Sequence, residues 1–119
     1  MAALTVQTVT GPGAEKAAAV QITAWSGTGD TISSSSIGER GVIAEVTNGS
    51  GGSLDFRVND SGTTPAGNTA ANAYTTVTVP DGETWLVFIG KHNVNPSTGS
   101  VKVGASTSNA AFTVRCIRY

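Results

Sequence analysis

Beyond residue 41, apolar and polar side chains alternate in short runs, and clusters of Gly, Asn, Asp and Pro separate one run from the next. Alternation puts every second side chain on one face of an extended chain, the pattern of a half-buried β-strand. Val42, Ala44 and Val46 share a face of the first run. Leu54, Phe56 and Val58 share a face of the second, with Asp55, Arg57 and Asn59 opposite. Between them Asn48-Gly49-Ser50-Gly51-Gly52 predicts a hairpin connection, because glycine supplies the positive φ such a connection needs. Val77 and Val79 lead into Pro80-Asp81-Gly82, a second predicted hairpin, in which Pro80 presets φ, Asp81 bonds its own backbone and Gly82 takes the left-handed conformation. The following arm carries Trp85, Val87 and Ile89 on one face and Leu86 and Phe88 on the other. A strand apolar on both faces belongs at the centre of a sheet or at a subunit contact. Val101 and Val103, then Phe112, Val114 and Cys116, mark two more strands.

The stretches without alternation divide the chain differently. Residues 60–73 and 92–98 contain turn formers and no periodic apolar set, and read as surface loops. Ser33 to Ser36 reads as a flexible turn. In the first forty residues, Leu4, Val6 and Val9 predict one short strand and Val20, Ile22 and Ala24 another, but Gly11-Pro12-Gly13 and Gly27-Thr28-Gly29 break the segment. Ala14–Ala19 is helix-prone yet too short to stand alone. The expected architecture is all-β: a single antiparallel β-sandwich over residues 29–119, of jelly-roll or Ig-like type, with residues 1–28 as an extended N-terminal arm that contacts a neighbouring chain.

Composition narrows the function classes. A chain of 119 residues, 39% apolar and only 13% charged, with 15 glycines, is the size of one domain and has the make-up of a turn-rich β protein. Seven basic and eight acidic side chains give a net charge of -1, and no run of Lys or Arg occurs, so nucleic-acid binding through a basic patch is not expected. The first residues lack the basic and apolar regions of a signal peptide, and no apolar window is long enough for a membrane span, so neither is expected. The single cysteine, Cys116, falls in the core register and is expected to act as a small buried hydrophobe. The Asn-x-Ser triplets at Asn48 and Asn59 carry little weight without a secretory route.

Catalytic chemistry finds little support. Asp81 and Glu83, just ahead of Trp85, have the residue types of a glycosidase site, but one tight turn cannot set two carboxylates across a substrate. His92 is the single histidine, which leaves no two-histidine metal set, and Asp30, Asp55, Asp60 and Asp81 stand singly, without calcium-loop spacing. No G-x-S-x-G elbow or phosphate loop is present. No enzyme, cofactor or metal is expected. Trp85 and Trp25 could stack on sugars with Tyr74 and Tyr119. The apolar neighbours of Trp85 favour core packing, while Trp25, beside Ser26-Gly27, is the better interface anchor.

The succession Gly41-Val-Ile-Ala-Glu-Val-Thr-Asn-Gly49, then Thr76-Val-Thr-Val-Pro-Asp-Gly-Glu-Thr84, then Thr98-Gly-Ser-Val-Lys-Val103, ending in Val114-Arg-Cys-Ile-Arg-Tyr119, resembles short head proteins of tailed bacteriophages. The resemblance covers residues 30–119 and rests on turn signatures. It implies a non-enzymatic capsid decoration, or cement, protein: made in the host bacterial cytoplasm, carried on the outer capsid surface of the virion, bound to the major capsid protein and acting as a homo-oligomer, a trimer being favoured. On this view Asn48, Gly49, Pro80, Gly82 and Glu83 are structural, and Leu4, Val6, Trp25, Leu86 and Phe88 are expected at the capsid or subunit interface. The alternative is a carbohydrate-binding β-sandwich module of a phage tail or a secreted enzyme.

Overall fold

The computed structural model describes residues 2–8, 19–26, 29–59, 74–95 and 98–118; Val9, most of the Ala14–Ala19 segment and the 60–73 loop lie outside the described residues. Strands form where the sequence alternates: β5 (Val42–Asn48), β6 (Leu54–Asn59), β7 (Tyr74–Val79), β8 (Thr84–Ile89), β9 (Ser100–Ala105) and β10 (Phe112–Arg118). Shorter strands precede them: β1 (Ala2–Ala3), β2 (Val6–Thr8), β3 (Val20–Gln21) and β4 (Asp30–Ser33). Sheet I runs β1-β4-β9-β6-β7, and sheet II runs β2-β10-β5-β8 with β3 also on β10. Pairing is antiparallel except for β1 on β4 and β2 on β10. The chain is therefore all-β, apart from two single turns of helix. Among the described residues no helix is long and apolar enough to cross a membrane.

Both predicted hairpins are corrected. β5 belongs to sheet II and β6 to sheet I; likewise β7 belongs to sheet I and β8 to sheet II. The Asn48–Gly52 and Pro80–Gly82 segments carry the chain from one sheet to the other, and β6 and β7 are the only consecutive strands that pair with each other among those described. A turn signature specifies a local bend, and that bend serves a crossover as well as a hairpin. Here Asn48 decides. Its fully buried side chain donates from Nδ2 to the carbonyls of Gly52 and Val79, both at 2.8 Å, and accepts from Ser50 N. Its backbone accepts from Gly82 N and donates to the Glu83 carbonyl. One residue thus ties both crossovers together.

The faces follow the alternation. Ile32, Phe56, Val58, Val79, Val101 and Val103 from sheet I meet Val42, Ala44, Val46, Ile89, Phe112 and Val114 from sheet II in one core, with Cys116 beside them. Burial raises the Cys116 thiol from 9.0 to about 11, the charge of Asp30 adding to the push. The Ser33–Ser36 run is a capped turn: Ser33 Oγ accepts from Ser36 N and starts α1 (Ser34–Ile37), which buries Ile37. The N-terminal segments also join this body. Ile22 is fully buried, and Leu4 and Val6 pack partly buried against the core.

Candidate functional site

Asp81 and Glu83 hold structure in place. Asp81 Oδ1 accepts from Gly51 N at 2.8 Å, on the neighbouring crossover and not on its own backbone as expected. Glu83 Oε1 accepts from Trp85 Nε1 at 2.9 Å. Gly82, at φ 78, takes the left-handed conformation expected of it. Asn48 makes a poor glycosylation acceptor, since its amide nitrogen is buried and donates twice. Asn59 Nδ2 likewise donates to the Asn93 carbonyl. Among the described residues no three His, Cys, Asp or Glu side chains cluster as a metal site.

Trp25 and Trp85 differ in burial from what their neighbours predict. Trp25 is only 7% exposed, because it lies across the outer face of sheet I on Gly104, where an added Cβ would come within 2.8 Å of the Trp25 backbone. Lys102 Nζ sits 4.2 Å from its ring centroid and the Tyr74 ring 5.2 Å away, with Arg57 in turn 4.6 Å above Tyr74. Trp25 is thus buried within its own chain. Trp85, expected in the core, is 41% exposed. It faces the core side at the end of β8, but β8 is the edge of sheet II among the described strands, and none of them covers the ring.

Among the described residues, the most exposed large apolar side chains lie on the outer face of sheet II. Leu86 is 68% and Phe88 59% exposed. Register sets Phe88 beside Ile43 and Ile43 beside Ile117, so an apolar row crosses β8, β5 and β10. In the next row Leu86 lies beside Glu45, whose carboxylate takes a 2.6 Å bond from Arg115 and holds that guanidinium the more firmly protonated. Phe88 is fixed in place: Gly41, at φ 78, leaves room for its ring, since a Cβ there would meet Phe88 Cζ at 2.7 Å, and His92 stacks at 6.4 Å. Around it lies a shallow hollow lined by Arg40, Gly41, Ile43, Phe88, Ile117 and Arg118. At about 80 Å³ it admits one side chain rather than a small-molecule substrate, whose sites begin at roughly 300 Å³.

Of the expected interface residues, Leu86 and Phe88 share this face, whereas Leu4, Val6 and Trp25 lie elsewhere against their own chain. The alternation does not pick out Ile43 and Ile117 as its partners, because each falls on the outward face of its strand, next to Glu45 or Arg115 on that face. No protein-family model, curated protein or solved structure matches the chain.

Proposed function

We propose that this chain is a non-enzymatic structural protein of a tailed-bacteriophage virion, which decorates the outer capsid surface and stabilises it by bridging capsomers. The fold is read as a jelly-roll sandwich of β3 to β10 with an N-terminal extension. Four strands per sheet, in the orders β4-β9-β6-β7 and β3-β10-β5-β8, support that reading, as does the crossing of every connection but β6 to β7. Viral capsid domains use such rolls, although a fold alone does not fix a function.

The observation that carries the proposal is the row Phe88–Ile43–Ile117 with Leu86 beside it. Contiguous large apolar side chains on a small domain mark a surface that a partner covers. Arg40 and Arg118 border the row, which suits an apolar patch with an acidic rim on the major capsid protein. Many copies on one shell multiply a modest contact. Purified protein mixed with undecorated capsids of its phage should co-sediment and raise the temperature at which shells break. Ile43→Lys should fold and fail to bind; shells that neither bind the native chain nor gain stability would refute the proposal.

The carbohydrate-binding alternative has an observation of its own, the Tyr74 ring, 39% exposed, with Arg57 stacked on it. Selective signals on a glycan array, lost in Tyr74→Ala, would favour it.

A further inference from the structure

We infer that β8 is a self-association edge: two copies of this chain pair through antiparallel β8 strands about a two-fold axis, with Leu86 of each copy opposite Phe88 of the other. This stands apart from the capsid proposal and does not rest on it.

The phase of the ladder shows which groups are free. Asn48 N donates to the Glu83 carbonyl at 3.0 Å, and the β5–β8 register continues from there through Thr47 opposite Thr84 to Val42 opposite Ile89. Bonded positions recur at every second residue of an antiparallel pair. Trp85, Val87 and Ile89 therefore turn their main-chain groups toward β5, and Thr84, Leu86 and Phe88 turn theirs outward. No described strand pairs with that side. Edge strands are normally guarded by charges, proline or a bulge. Thr84-Trp-Leu-Val-Phe-Ile89 has none of these. The other open edge on this side, β7, reads Tyr-Thr-Thr-Val-Thr-Val and offers far less apolar surface.

Charge at the two ends of β8 selects a second copy as the occupant. Glu83 precedes the strand and Lys91 follows it. With Leu86 opposite Phe88 in an antiparallel pair, Val87 meets its own copy, Trp85 lies opposite Ile89, and Glu83 falls opposite Lys91 at both ends. A slip of two residues sets Glu83 against Ile89 or Lys91 against Trp85, and a slip of one turns the apolar outer face against the inner one. Lys91 is available for this, since its present partner, Glu39, is an 85% exposed carboxylate in a surface pair. The two-fold closes the contact, so the edge is used up and no filament grows.

Sedimentation equilibrium of the full chain, with amide exchange at Leu86 and Phe88, tests the pairing. The expected mass is twice 12.0 kDa, with both amides protected. Leu86→Lys, at a side chain exposed enough to leave folding intact, should sediment as a folded monomer whose thermal midpoint, unlike that of the native chain, does not depend on protein concentration. Glu83→Lys should weaken the dimer roughly tenfold, and adding Lys91→Glu should restore it. A monomeric or trimeric native chain, a dimer whose Leu86 and Phe88 amides exchange freely, or no rescue in the charge swap would each overturn the inference. Capsid binding by a native chain that sediments as monomer would overturn this inference and leave the capsid proposal standing.

Discussion

The Asn48 side chain has no water to turn to, and the two carbonyls it serves, those of Gly52 and Val79, lie at the ends of different crossovers. Removing the amide takes the donor from the buried Val79 carbonyl and leaves the exposed Gly52 carbonyl with Ser50 Oγ, at a cost of about 2 kcal/mol. Asn48→Ala should show this loss in a urea titration, with an unchanged slope. Asn48→Asp should do no better, because a carboxylate of the same shape cannot donate to either carbonyl. Cys116 couples the core to pH. Its folded thiol is raised from 9.0 to about 11, by burial first and the charge of Asp30 second, so the unfolded chain loses its proton before the folded one does. The contribution is fully present below pH 9 and is lost as pH rises to about 11, a change of roughly 2–3 kcal/mol. Unfolding free energies measured across that window should fall for the native chain and lose this component in Cys116→Ala.

At the level of elements, strand against strand decides what the local pattern leaves open. The alternation places Val42, Ala44 and Val46, Phe56 and Val58, Val101 and Val103, and Phe112, Val114 and Cys116 on buried faces, where the structure has them. It also marks β8 as apolar on both faces, which is why Leu86 and Phe88 could be singled out. It cannot say whether the second arm of a turn returns to the first or crosses to another sheet, because that depends on partners far along the chain, such as Asn48 for Val79. For the same reason the exposure of Trp85 is not legible: the residue faces inward, yet its strand ends the sheet. Trp25 shows the converse. It is buried because Gly104 of β9 leaves a gap on the outer face of sheet I. Gly104→Ala should push a Cβ into the Trp25 backbone, lower stability by about 1–3 kcal/mol and shift the tryptophan emission. Gly52→Ala, with open space around it, should do neither.

Over the whole molecule the two sides of the sheet pair differ. On one side the outer edges of β4 and β10 are covered by β1 and by β2 with β3; on the other, no described strand pairs with the outer edges of β7 and β8. Edges left open invite another chain and edges covered by the chain itself do not, so the N-terminal residues direct association to the β8 side. Doubling sheet II there would bring Leu86, Phe88 and Ile43 of both copies to the middle of one broad face, the surface proposed to meet the capsid. Deleting residues 2–8 removes the parallel ladders on β4 and β10, together with the partly buried Leu4 and Val6. Losing that burial should cost roughly 2–4 kcal/mol. The newly bare edges should add concentration-dependent aggregation that Leu86→Lys does not suppress. Thermal unfolding and sedimentation of the truncated chain measure both effects. An unchanged midpoint would mean that residues 2–8 leave the body in solution, the state in which Leu4 and Val6 could reach a neighbouring subunit or the capsid as an arm.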